Sequence, residues 1–260
     1  MTLAKKQDSL DIYKNYDNLI DILLKKDFIG KNEFLEILDN NLDFEINFEM
    51  AISFGIPLII KHSNIALNVK QDIFSQIFCI IDIETTGFSP NNDDIIEIGA
   101  IKYINGNIID RFESYINAKN IPPKITEITG ITTNETINAP NIKNVLERFK
   151  LFLKDSIFMA HNINFDFNFI NEKLILNSIP PMKNLKLCTL NLARKTIASE
   201  KYGLEHLNKV LDINYPTRHR AYADCIIALK VFENSILNLP NEVKNVKDLL
   251  YFANMTKYTK

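Results

Sequence analysis

Only three cysteines, Cys79, Cys188 and Cys225, occur in 260 residues. They are widely spaced, odd in number and form no CxxC pair, so neither a disulfide framework nor a cysteine-bound zinc is indicated. Reduced thiols in a cytosolic setting are the plain expectation. Charge of one sign is also scarce: the formal net charge is −2 and the sequence pI is about 6.1. Proteins that grip duplex DNA by their overall field carry a basic face, so any nucleic-acid contact here must be local or assisted by metal ions. No apolar run reaches the ~20 residues of a membrane span, and the opening segment with Lys5, Lys6 and Asp8 is not a secretory leader. A soluble, cytoplasmic protein without a membrane partner is expected. Internal repeats and low-complexity tracts are missing as well. What remains is 46% hydrophobic and 24% charged, the make-up of a globular chain with a full core.

The pattern changes near residue 75. Before it, helical periodicity runs through 16–24 and 33–38, and an apolar stretch at 48–54 stops at Gly55. Two β-prone runs, 57–61 and 65–69, follow with a turn at His62, Ser63 and Asn64. Three helices and a hairpin are the order of a winged-helix module over 1–72; a helical cap packed on the main domain is the alternative. Its candidate recognition segment, 43–54, holds no Lys or Arg. Phosphate contacts come chiefly from basic side chains and backbone amides, so this segment suits protein docking better. Within 1–72, residues Gln7 to Tyr13 also loosely resemble a sliding-clamp peptide.

A second domain is expected over 76–237, with a C-terminal helix and tail over 238–260. Strands are predicted at 77–83, 95–104 and 107–116, the last two joined by the hairpin signal Asn105-Gly106. A helix follows Pro140 through Val145, Phe149 and Phe152. Then come a strand at 156–160, a helix at 164–176 and a short strand at 185–188. Helices at 189–196, 204–211, 222–237 and 243–253 complete the pattern.

Three pieces of this second domain carry chemistry. Asp82 and Glu84 end the most apolar strand, and alternation puts both carboxylates on one face. Like charges there raise each other's pKa unless a hard cation such as Mg²⁺ or Mn²⁺ is held between them. Thr85-Thr86-Gly87 follows at once, and the glycine permits a tight turn. The second piece is His161-Asn162 with Phe165-Asp166, the aspartate falling in the first turn of a helix. In the third, His219-Arg220-Ala221 with Asp224, histidine and aspartate converge only if His219 sits on a loop ahead of the helix holding Asp224, since five helical residues would turn them apart. Pro216 and Thr217 just upstream suit such a loop.

Taken in order, these segments resemble the DEDDh exonucleases, the family that holds the epsilon proofreading subunit of bacterial DNA polymerase III. Ile96-Glu97-Ile98-Gly99-Ala100 and 128–132 are similar to the family's intervening motifs. The resemblance covers 76–237 and implies a ribonuclease H-like α/β fold: a five-stranded mixed sheet flanked by helices, its second strand antiparallel. It further implies that Asp82, Glu84, Asp166 and Asp224 hold two divalent cations, Mg²⁺ or Mn²⁺, about 4 Å apart, with His219 as general base. Thr85, Thr86, Gly87, His161, Asn162 and Phe165 would receive the terminal nucleotide. The implied activity is 3′→5′ removal of nucleoside 5′-monophosphates from single-stranded or frayed DNA ends, in proofreading or replication beside a DNA polymerase or sliding clamp. RNA 3′-end trimming, or a non-catalytic docking protein on a nuclease scaffold, are the alternatives.

Overall fold

Residues 3–53 hold three helices in the computed structural model, α1 (Leu3–Lys25), α2 (Lys31–Leu38) and α3 (Phe44–Ser53). The structure describes residues 3–216 and 219–254, with side chains from Tyr13 onward; the side chains of the clamp-like peptide up to Ile12, and the loop residue Thr217, lie outside what is described. Helix α3 gives way at Gly55, whose φ of 94° suits glycine. A Cβ at Gly55 would also meet the Asn184 side chain at 2.2 Å. Strands β1 (Leu58–Lys61) and β2 (Asn64–Leu67) then pair antiparallel. Their turn is two residues, His62 and Ser63, both at positive φ, and Asn64 already belongs to β2. Ile29 forms an isolated antiparallel bridge to Ile65 on the other side of β2.

The main sheet has the order β5-β4-β3-β6-β7. Its central strand β3 (Phe78–Thr85) runs antiparallel to β4 (Ile95–Ile104), which pairs antiparallel with β5 (Asn107–Tyr115). The β4–β5 turn is Asn105-Gly106 with φ of 50° and 76°, as its sequence predicts. On the other side β3 runs parallel to β6 (Ile157–Ala160), and β6 to β7 (Lys186–Cys188). This is the expected five-stranded mixed sheet with its second strand antiparallel.

Alternation along β3 sends Cys79, Ile81 and Ile83 to one apolar cluster and Phe78 and Ile80 to another. The connection after β5 contains two short helices that periodicity does not reveal, α4 (Pro123–Thr129) and α5 (Thr133–Thr136). Helices α6 (Ile142–Leu153) and α7 (Ile163–Leu176) cover the first face through Phe149, Phe169 and Ile170. Helices α8 (Thr189–Thr196), α9 (Leu204–Val210) and α10 (Ala221–Leu237) follow, and α10 brings Cys225 and Phe232 to the second face.

The N-terminal elements share that second face. Tyr16, Leu19, Phe34, Phe54 and Ile56 belong to one continuous apolar cluster with Phe78, Leu187, Phe232 and Leu249. The N-terminal elements thus pack on the main domain through a shared apolar cluster. The last helix, α11 (Val246–Asn254), pins them in place. Its Val246 and Lys247 amides donate to the carbonyls of Gln71 and Val69, and the Tyr251 hydroxyl donates to Leu24 at 2.7 Å. Among the described residues, no helix is long and apolar enough to cross a membrane.

Candidate active site

Asp82 and Glu84 continue the Phe78–Ile80 face of β3 toward its C-terminal end. Asp224 enters from the first turn of α10. One carboxylate oxygen from each of Asp82, Glu84 and Asp224 lies within 4.8 Å of the others. Asp166 arrives from the first turn of α7 and is buried. Parallel pairing of β3 with β6 ends at Ile80, and beyond it Asp166 Oδ1 accepts the Ile83 amide at 3.2 Å.

Burial and mutual repulsion disturb all four acids. Asp82 is raised well above the carboxylate range by burial, then by Asp166, Asp224 and Glu84. Glu84 is pushed up to about 9 by burial, then by the charges of Asp224, Glu97 and Asp166. Burial raises Asp166 against the amide bonds that favour its anion, and raises Asp224 against the nearby charge of His219. Four carboxylates crowded in this way fit a hard divalent cation, whose charge removes the repulsion and whose ligands are oxygens.

His219 stands on an exposed loop residue with φ of 46°, directly ahead of α10, as its spacing to Asp224 predicts. Arg220 follows as the N-cap of α10. Glu97 on β4 accepts Arg220 Nη2 at 2.7 Å and the Ala221 amide at 3.0 Å. Gly99 lies under the same turn. A Cβ there would meet the Ala221 carbonyl carbon at 2.5 Å, and the Gly99 carbonyl accepts the Cys225 thiol.

The turn after β3 is tightly held. The Thr85 hydroxyl donates to the Gly87 carbonyl at 2.6 Å, and Thr86 Oγ1 accepts the Asp94 amide at 2.8 Å. That leaves lone pairs on Thr85 and a hydroxyl proton on Thr86 for a ligand. Gly87 is packed on the Asp93 carboxylate, 2.5 Å from where a Cβ would stand. Asp94 is tied to α7 by the buried Lys173 at 3.0 Å.

His161 uses both ring nitrogens inside the protein: Nε2 on the Tyr202 carbonyl at 2.7 Å and Nδ1 on the Thr189 hydroxyl at 2.9 Å. A carbonyl only accepts, so Nε2 carries the proton and Nδ1 accepts. Burial pushes the ring down to about 4, which keeps it neutral. Asn162 is exposed, with φ of 73° at the start of α7 and no capping bond from its side chain. Phe165 is half-buried between Phe169 at 5.6 Å and Phe88 at 6.3 Å. Phe88, which sequence reasoning passed over, is 89% exposed. Its signal was there: a large apolar side chain directly after the turn glycine.

A five-stranded mixed sheet with four acids gathered at the end of its central strand defines a ribonuclease H-like nuclease of the DEDDh type. The RNase_T family model, described as Exonuclease, matches residues 79–232, and the chain belongs to this family of hydrolytic nucleases. The DNA polymerase III PolC-type protein of Clostridium perfringens is 38% identical over 189 residues, 71% of this chain and 13% of that protein. Its counterpart from Caldanaerobacter subterraneus is 35% identical over 198 residues, 75% of this chain and 14% of that protein. The chain thus spans a small part of these relatives. Among solved structures, E. coli exonuclease I in complex with a dA16 oligonucleotide shares the fold. Its TM-score is 0.58 at 20% identity, covering 64% of this chain and 42% of that one.

Proposed function

We propose that this protein is a 3′→5′ exonuclease that trims DNA ends, releasing nucleoside 5′-monophosphates. The observation that carries the reading is the convergence of Asp82, Glu84 and Asp224 within 4.8 Å, with Asp166 beside them. Asp82, Glu84, Asp166 and Asp224 would hold two divalent cations, Mg²⁺ or Mn²⁺, which supply positive charge to the scissile phosphate and the departing 3′ oxygen. His219, on its exposed loop, takes a proton from the attacking water. The P–O bond to the 3′ oxygen breaks as the new P–O bond forms, and that oxygen is protonated as it leaves. Gly87 brings its backbone close to the terminal nucleotide, with Thr85 and Thr86 offering hydroxyl contacts. His161, held neutral and fixed, and Asn162 line the sugar side. Phe165 and the exposed Phe88 offer ring faces to unpaired bases.

DNA is favoured over RNA because the relatives are DNA polymerases and the neighbouring fold is bound to a DNA oligonucleotide. The likeness to DNA polymerases supports a role in proofreading beside a polymerase in the cytoplasm. A sliding clamp has less support, since Tyr13, the aromatic end of the clamp-like peptide, packs edge-on to Phe54 at 5.6 Å.

The test compares 3′-labelled single-stranded DNA, mismatched primer–template DNA and short RNA, with Mg²⁺, with Mn²⁺ and with chelator. Metal-dependent release of 5′-mononucleotides from the DNA substrates is expected. No release from any substrate, or equal release from Asp82→Ala, overturns the reading.

A further inference from the structure

Glu97 is a fifth carboxylate among the acids. It stands opposite Glu84 in the β3–β4 pairing, so the two side chains share a face, and it is only 5% exposed. Both of its oxygens are already engaged. Oε1 accepts Arg220 Nη2 at 2.7 Å and Nε at 3.1 Å; Oε2 accepts Arg220 Nε at 3.1 Å and the Ala221 amide at 3.0 Å.

The Ala221 amide is the first of α10, and no side chain of the helix's own N-cap bonds to that end. The cap is supplied across the sheet, by an anion placed where a helix N-terminus favours one. The Arg220 guanidinium also lies over the ring of Tyr115, 5.2 Å from its centre. Tyr115 is the partner of Glu97 on the neighbouring strand β5. Two adjacent strands therefore grip one guanidinium, whose planar fork suits both contacts. Arg220 is the residue after His219 and lies one helical turn before Asp224, whose amide donates to its carbonyl at 3.0 Å.

We propose that Glu97 and Arg220 form a positioning clasp that sets Asp224 and His219 against the carboxylates of β3. It rests on the exonuclease reading above. The clasp binds no cation and no nucleotide itself; it fixes the start of the helix that does.

The experiment measures Mn²⁺ binding by calorimetry without DNA, steady-state trimming of an oligonucleotide, and thermal unfolding. Its variants are Glu97→Gln, Arg220→Ala and Arg220→Lys. Arg220→Ala should lose about 10–100-fold in Mn²⁺ affinity and in kcat, the range for residues that orient metal ligands. KM for the oligonucleotide should stay near that of the parent. Glu97→Gln keeps an acceptor for Ala221 and should lose less. Arg220→Lys keeps the charge without the fork and should fall between Arg220→Ala and the parent. A lower melting temperature with parent-level kcat and Mn²⁺ affinity, measured well below melting, overturns the clasp and leaves plain scaffolding. If Arg220→Ala does not fold, Arg220→Lys and Glu97→Gln decide the matter by the same readouts. If the parent trims no 3′ end, the exonuclease reading fails, while the Mn²⁺ isotherms still report on the clasp.

Discussion

A side chain on Gly99 would stand 2.5 Å from the carbonyl carbon of Ala221, so the strand and the helix touch backbone to backbone at this point. That contact sets how deeply α10 sits, and Asp224 is three residues further along it. Gly99→Ala must push the helix away, because the obstructing atoms are backbone. Overpacking of this kind costs about 1–3 kcal/mol. A lower melting temperature and at least a tenfold drop in trimming rate are expected. A variant that melts and trims like the parent would show that the helix has slack here.

Crowded acids make metal-free stability depend on pH with a defined sign. Glu84 keeps its proton up to about 9 in the folded chain, against an ordinary 4.5. Between those values the folded state binds more protons than the unfolded one, so stability falls as pH rises. The contribution is fully present below about 4.5 and gone above about 9. Melting temperatures of chelated protein from pH 5 to pH 9 should slope downward. Glu84→Gln should flatten the slope, and saturating Mg²⁺ should flatten it in the parent. A parent curve that rises across this range would contradict the arrangement of charges.

His219→Ala removes the proposed base and leaves the four acids in place. Loss of a general base costs about 10²–10⁴-fold in rate. Mn²⁺ affinity, read by calorimetry, should change far less than kcat. Equal losses in both would make His219 a structural residue of the loop.

Phe88→Ala tests the exposed ring. Surface truncations usually change stability by less than about 0.5 kcal/mol, while a stacked base is worth about 1–3 kcal/mol. KM for single-stranded DNA should rise at least fivefold with an unchanged melting curve. An unchanged KM would place Phe88 off the path of the strand.

Removal of residues 1–70 takes Tyr16, Leu19, Phe34, Phe54 and Ile56 out of the apolar cluster they share with Phe78, Leu187 and Phe232. The truncated protein should aggregate or bind a hydrophobic dye, since it exposes a core surface. A soluble, monomeric and sharply melting product would mean that the cap is dispensable.

Much of this was legible in the sequence because it rests on local chemistry. The Asn105-Gly106 turn, the apolar β3 ending in Asp82 and Glu84, and the loop ahead of Asp224 each follow from side-chain period or turn preference. The short helices α4 and α5 escaped, since seven and four residues are too few to show a period. Glu97 was visible as part of a motif, but its partner Arg220 lies 123 positions away. Only the fold brings those two together. The same holds for His161, whose bonds to Thr189 and Tyr202 span 28 and 41 positions.

The grip of α11 on the cap has a consequence for how the chain acquires its structure. Lys247 reaches Asp27 across 220 positions, and Tyr251 reaches Leu24 across 227. During synthesis these contacts of Asp27 and Leu24 therefore wait for a helix made more than 200 residues later. Pairings this distant in sequence slow folding, because the entropy of closing the loop is lost before the contact forms. The N-terminal helices thus pass through a long interval with only their local partners made, the stage at which a chaperone would matter most.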